Sequence, residues 1–114
     1  MQYMLMIYED ESQFGAAKNN PELQALVARH MEFSKNLGAT RVGGAGLKSS
    51  TSATTVRRSG GEQTIHDGPF VEAREQLGGF YIVDVPNLDA AIEIAKKLPL
   101  MSSGSIEIRP LLGP

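Results

Sequence analysis

Alternating hydrophobic and polar positions divide the chain into six predicted strands and two predicted helices. The strands are expected at 3–8, 41–47, 53–58, 62–66, 77–85 and 106–109. Segments 3–8 and 77–85 have apolar side chains at both alternating sets of positions, which is typical of a strand that is covered on both faces. We therefore expect both segments in the interior of a sheet, where they can be neighbours.

The first helix is predicted over 21–37, where apolar residues recur with the helical period. Asn20 can cap it, Pro21 suits the first helical position and Gly38 ends it. At about 100° per residue, one broad face carries Leu23, Leu26, Val27, His30, Phe33, Ser34 and Leu37. A histidine within such a face must be hydrogen-bonded or line a cavity, because a buried unpaired polar group costs about 1–3 kcal/mol.

The second helix is predicted between Asn87, which can cap its start, and Pro99, which stops it. Its apolar stripe comprises Leu88, Ala91, Ile92 and Ala95. Lys96 and Lys97 then meet the negative end of the helix dipole. This amphipathic pattern favours a helix that packs on one face of a sheet.

A hairpin is predicted where strands 53–58 and 62–66 flank the two-residue turn Gly60-Gly61. Counting outward from this turn places Val56 opposite Ile65. We expect this apolar pair to face the core, with Asp67 pointing the same way and His66 pointing to the other side. A bulge or a one-residue slip would exchange the roles of His66 and Asp67.

The order strand, helix, strand, inserted hairpin, strand, helix, strand predicts an α+β fold. It is the split βαβ plan of ferredoxin-like domains, with an antiparallel sheet and two helices on one face. Two helices cover only one side of the sheet, so the apolar side chains of the other face must pack against another part of the chain or against a second chain. We expect a homodimer that joins through its sheet faces. The alternative is that the polar segment 9–13, or the serine- and threonine-rich loop 48–52, folds over that face.

Composition limits the function classes. The chain has 114 residues, of which 41% are hydrophobic and 21% are charged, and this length suits a single domain spanning 1–114. A net charge of −2 gives no positive field for nucleic acid. The absence of cysteine excludes disulfides, a thiolate nucleophile and zinc–thiolate sites. No apolar stretch is long enough to span a bilayer, so no membrane partner and a cytoplasmic location are expected.

The segment 67–81 departs most from general folding chemistry. It contains Asp-Gly-Pro-Phe at 67–70, then Glu72, Arg74 and the run Glu-Gln-Leu-Gly-Gly before an aromatic pair. This order resembles the DGPF branch of the YCII-related (YciI-like) proteins, and the resemblance extends from segment 3–8 to the closing Ile-Arg-Pro at 108–110. It implies a small ferredoxin-like domain that dimerises as a dimeric α+β barrel.

His30 and Asp67 are the candidate catalytic residues. A carboxylate presented from the sheet can orient a histidine on the first helix, whose other ring nitrogen then moves a proton near neutral pH. The resemblance implies the same pair, because YCII-like proteins carry a histidine and an aspartate at matching positions. The predicted reaction is acid–base catalysis on an unknown metabolite. Candidate substrate-binding residues are Phe70, Glu72, Arg74 and Arg109.

Two other functions remain open. The domain can be a noncatalytic regulatory module that binds a metabolite or a protein, or His30 and Asp67 can be a buried pair that only fixes packing. No cofactor is predicted. No metal site is predicted either, because the alternation of side chains places His30 and His66 on different faces. An interaction with Asp67 would raise the pKa of His30, whereas dominant burial would lower it.

Overall fold

The computed structural model describes residues 1–14, 21–101 and 103–113. Its strands and helices are, in chain order, β1 (Gln2–Asp10), α1 (Pro21–Leu37), β2 (Arg41–Gly46), β3 (Thr54–Ser59), β4 (Glu62–Asp67), β5 (Glu75–Asp84), α2 (Leu88–Lys97) and β6 (Ser105–Pro110). Every predicted strand and helix is present, with ends that shift by one or two residues in the strands. Among the described residues, no helix is long and apolar enough to cross a membrane.

Four strands form an antiparallel sheet in the order β2-β5-β1-β6. β1 and β5 are its central neighbours, as the apolar pattern of segments 3–8 and 77–85 predicts. With the two helices, this order gives the ferredoxin-like split βαβ arrangement, and the predicted α+β fold class is confirmed. The hairpin β3–β4 forms a separate two-stranded sheet.

Side chains of the two central strands alternate between a buried face and an open face. The buried face contributes Tyr3, Leu5, Ile7, Tyr81, Val83 and Val85. Leu98 and Ala91 of the α2 region join this core, and Phe33 and Leu37 of α1 pack against it. The open face carries the half-buried side chains of Met4, Met6, Tyr8, Phe80 and Ile82. The described helices therefore cover the sheet of one chain on one side only.

α1 has the predicted bounds, but its buried stripe is narrower than the predicted face. Leu26 is buried, and His30 and Phe33 are half-buried, whereas Val27 is 51% exposed. Positions 26, 30, 33 and 37 follow the side of the helix that meets the sheet. Val27 lies at the edge of this stripe and is therefore more exposed. The predicted cap Asn20 lies outside the described residues. In α2, the predicted cap is confirmed, since the Asn87 side chain accepts a hydrogen bond from the backbone N–H of Ala90 at 3.0 Å.

The hairpin has the predicted register. Its turn residues Gly60 and Gly61 have φ of +57° and +84°, the left-handed conformation that a tight two-residue turn requires. Val56 pairs with Ile65, but these side chains are 61% and 73% exposed. The expectation that their face meets the core is wrong for the single chain. The hairpin forms a two-stranded sheet separate from the four-stranded one. The pairing of Val56 with Ile65 was therefore predicted correctly, but it did not place these side chains in the core.

The loop after β4 folds back on the opposite face of the hairpin. The Thr55 hydroxyl donates to the Gly68 carbonyl at 2.7 Å, and His66 Nε2 lies 3.3 Å from the Pro69 carbonyl. The Arg57 guanidinium lies 4.9 Å from the centre of the Phe70 ring. The Asp-Gly-Pro-Phe segment is thus packed against one hairpin face, while the face with the apolar pair stays open.

Candidate functional site

His30 faces the sheet from the middle of α1, and its ring contacts Tyr81 of β5. Nδ1 of His30 lies 3.0 Å from the Tyr81 hydroxyl, and the two rings stack with centroids 5.9 Å apart. Phe33 packs edge-on against the same tyrosine at 5.5 Å. The polar histidine in the apolar stripe is therefore satisfied by a partner from the sheet.

Burial sets the protonation of this pair. Loss of hydration lowers the pKa of His30, and the nearby charge of Arg29 lowers it further, while a hydrogen bond to the backbone of Pro99 acts in the opposite direction. Burial likewise raises the pKa of Tyr81, against the effect of Arg41. The Arg41 guanidinium lies 5.7 Å from the centre of the Tyr81 ring. Both side chains are thus neutral at pH 7.

Asp67 ends β4 on the open face of the hairpin, opposite Thr54, and is exposed. The next residue is held in place, because the backbone N–H of Gly68 donates to the Ala53 carbonyl at 2.7 Å. Within the described part of one chain, no hydrogen bond or ion pair joins Asp67 to His30. Their joint catalytic role stays a prediction.

A cleft of about 490 Å³ opens where three separate segments meet. Its walls are the end of β1, the serine- and threonine-rich loop, and the loop that follows the Asp-Gly-Pro-Phe motif. We call it the loop cleft, defined by Asp10, Glu11, Ser12, Ser50, Thr51, Pro69, Glu72, Ala73, Arg74 and Gln76. Its volume lies within the range of about 300–1,000 Å³ that small-molecule sites occupy.

An ion pair closes one side of the loop cleft. Nε of Arg74 lies 3.1 Å from a carboxylate oxygen of Asp10. The backbone N–H and the hydroxyl of Ser12 both donate to the other Asp10 oxygen, at 3.0 and 2.6 Å. The hydrogen bonds from Ser12 and the interaction with Arg74 lower the pKa of Asp10, so this carboxylate is ionised at neutral pH.

Hydrogen bonds also fix the other two walls. Glu11 accepts from the backbone N–H of Ser50 at 2.8 Å and from the hydroxyl of the same serine, which attaches the serine- and threonine-rich loop to the end of β1. The Gln76 amide nitrogen donates to the carbonyls of Val71 and Ala73, at 2.7 and 3.1 Å. The motif loop is therefore held in a defined shape by the side chain of Gln76, at the start of β5.

The structure brings together two of the four predicted substrate-binding residues. Glu72 and Arg74 line the loop cleft. Phe70 packs instead under Arg57, and Arg109 lies on β6 with its guanidinium 2.8 Å from Glu107. Neither of these two borders the cleft.

Several residues of the loop cleft, and the tyrosine that contacts His30, were not predicted from the sequence. Asp10 and Glu11 of the acidic run after the first strand, and Ser50 and Gln76, line the loop cleft, while Tyr81 holds His30. An acidic run at the end of an interior strand was the available signal, because a strand end places its side chains at the rim of the sheet. Within the described residues, no group of three or more histidine and acidic side chains is arranged to hold a metal ion.

Comparison with known proteins places these features in a family context. The model of the YCII-related domain matches residues 1–113. An uncharacterised protein of Rhizobium meliloti (strain 1021) is 40% identical over 119 aligned residues, and the alignment covers 97% of this chain and 92% of the relative. The range that the family model matches therefore spans the positions of the His30–Tyr81 pair and of the loop cleft.

Proposed function

Because the chain belongs to the YCII-related domain family, we propose that it is a homodimeric domain that binds a small polar molecule in the loop cleft. The observation that supports this function is the cleft itself, in which three distant segments present charged and hydroxyl groups around one volume. Sites of this kind are concave, largely formed in advance, and carry a few placed polar groups.

The ion pair between Asp10 and Arg74 supports binding in particular. It joins the motif loop to the end of a central strand, and Ser12 holds the same carboxylate from its other side. A loop that is fixed in this way loses little conformational freedom when a ligand arrives, so less of the interaction free energy is spent on ordering it.

The acid–base role of His30 with Asp67 is a separate part of the hypothesis. In one chain the His30 ring contacts Tyr81, and Asp67 lies on the open hairpin face. Catalysis by this pair requires the two residues to meet in the assembled protein. Binding in the loop cleft does not depend on that meeting, which is why we propose binding, rather than turnover, as the primary activity.

The dimer is proposed from the uncovered side of the sheet. Met4, Met6, Phe80 and Ile82 lie on this side, and the described helices pack on the other. A contiguous apolar area of several hundred Å² is uncommon on the surface of a monomer. Packing two such sheets face to face buries both apolar surfaces at once.

A fragment titration followed by amide NMR tests the proposed function. We expect a set of small polar fragments to shift the amide signals of residues 10–12, 50–51, 72–74 and 76, because these line the cleft. Ala73→Trp fills the cleft from an exposed position and should abolish the shifts. Ala39→Trp, at an exposed position outside the cleft, is the matched control and should leave them unchanged. Shifts that survive Ala73→Trp would place the site elsewhere.

A further inference from the structure

The polar groups of the loop cleft fall into two sets. The Asp10 carboxylate is already bound by Ser12 and Arg74, and the Glu11 carboxylate is already bound by Ser50. Among the described residues, no partner engages the Glu72 carboxylate, the side-chain oxygen of Gln76 or the two terminal nitrogens of Arg74. A ligand therefore meets a defined set of free groups, which determines its chemistry.

The free groups have opposite charges. Arg74 uses only Nε for Asp10, and its side chain is 89% exposed, so its terminal nitrogens can donate two hydrogen bonds to one carboxylate. Glu72 offers a negative acceptor, and Gln76 adds a neutral acceptor. An ammonium group, which only donates, fits these two acceptors.

The total charge of the lining excludes a simple anion as the best ligand. Three carboxylates (Asp10, Glu11 and Glu72) and one guanidinium (Arg74) give the lining a net charge of about −2 at neutral pH. A ligand with only negative groups is repelled by this field, whereas one with a carboxylate and an ammonium group pairs with both free charges.

We propose that the loop cleft binds a small zwitterion, a molecule of amino-acid or dipeptide size whose carboxylate contacts Arg74 and whose ammonium group contacts Glu72. This inference rests on the proposed function and specifies its ligand class. The cleft volume of about 490 Å³ accommodates a ligand of this size with its bound water.

Three matched probes test the ligand class. L-alanyl-L-alanine carries both charges, its N-acetyl form lacks the ammonium group, and its C-terminal amide lacks the carboxylate. We expect each modification to weaken binding about tenfold, because each removes one charge-assisted contact at a partly solvated site. Dissociation constants come from NMR titration of the cleft amides.

Two substitutions assign each end of the ligand. Glu72→Gln should lose most of the preference for the dipeptide over its N-acetyl form, because only neutral acceptors then face the ammonium group, and Arg74→Gln should lose the preference for the dipeptide over its amide. Both side chains are exposed, so neither change threatens the fold. Arg74→Gln also removes the ion pair with Asp10, so the cleft amide signals of the ligand-free variant are first compared with those of wild type. Glu62→Gln and Arg58→Gln, at exposed hairpin positions outside the cleft, are the controls and should keep both preferences.

The outcomes separate this inference from the proposed function. Equal affinity of all three probes for the wild-type protein, or tighter binding of either modified probe, overturns the zwitterion and leaves the cleft as a binding site. If the dipeptide does not shift the cleft amides while other fragments do, the ligand class is again wrong. If no fragment and no probe shifts them, the proposed function fails as well.

Discussion

The Tyr81 hydroxyl lies 3.0 Å from Nδ1 of His30 and 3.4 Å from the carbonyl oxygen of the same histidine. A hydroxyl has one proton, and the shorter distance favours its donation to Nδ1 of a neutral ring. Protonation of His30 turns Nδ1 into a donor, so the tyrosine proton must then point to the carbonyl. The contact between α1 and the central strand is thus coupled to the charge of the histidine.

The first prediction concerns pH. Burial lowers the pKa of His30 from its ordinary value of 6.5, so the unfolded chain binds a proton more readily than the folded chain. The stabilisation from the neutral ring is complete above about pH 6.5 and is lost as the pH falls through the folded-state pKa. We expect urea unfolding between about pH 7 and pH 5 to show a steeper loss of stability in wild type than in His30→Gln.

His66→Gln is the control for this measurement, because His66 is an exposed hairpin residue. It should keep the wild-type pH dependence. NMR titration of the His30 ring gives the pKa directly. A pKa above 6.5 that falls in Asp67→Asn would instead support the predicted pair of His30 and Asp67.

The second prediction concerns the sheet edge at Gly44. This residue has φ of +144°, and a Cβ atom there would lie 2.6 Å from the backbone oxygen of Phe80. We expect Gly44→Ala to lower the free energy of unfolding by about 2 kcal/mol or more, through backbone strain and the steric clash. Gly46→Ala, also in β2, meets no atom within 4 Å and should change stability far less. Chemical denaturation compares the two, and equal losses would contradict the role of Gly44.

The third prediction concerns the dimer. Met4 lies on the open face beside Ile82, and Met31 is 70% exposed on α1. We expect wild type to sediment as a dimer, and Met4→Lys to weaken the dimer about 100-fold or more, because an unpaired ammonium in an interface costs about 3 kcal/mol or more. Met31→Lys should sediment as wild type does. A wild-type protein that is monomeric at micromolar concentration would rule the assembly out.

The fourth prediction concerns the anchoring of the loop cleft. The two hydrogen bonds from Ser12 lower the pKa of Asp10 more than Arg74 does. Ser12→Ala removes the hydroxyl hydrogen bond, which is the largest of these effects, and keeps the backbone one. We expect the carboxyl pKa of Asp10, followed by NMR, to rise in Ser12→Ala and also in Arg74→Gln. Ser59→Ala, at an exposed position in β3, should leave it unchanged. An unchanged pKa in Ser12→Ala would contradict the role of the Ser12 hydroxyl.

Local chemistry made a large part of this fold predictable. The proline and glycine that bracket α1 gave its bounds, and Gly60-Gly61 gave the register of the hairpin, including Thr54 opposite Asp67. The two-faced apolar pattern identified the central strands β1 and β5. These features depend on residues close together in the chain, where backbone preferences and side-chain periodicity act directly.

The candidate site was less predictable, because its contacts join distant segments. Glu11 meets Ser50 across 39 positions, Asp10 meets Arg74 across 64, and His30 meets Tyr81 across 51. The sequence showed that Glu72 and Arg74 were candidates, yet it showed neither the carboxylates opposite them nor the position of Phe70 under Arg57.

The sequence by itself therefore determined the strands and helices, their order and the hairpin register. The tertiary structure decided which faces are covered, which partner His30 has and which segments enclose the cleft. The physical reason is that periodicity identifies an apolar face without identifying what packs on it. Val56 and Ile65 form a correctly predicted apolar pair, yet they stay exposed because the hairpin leaves the sheet of its own chain.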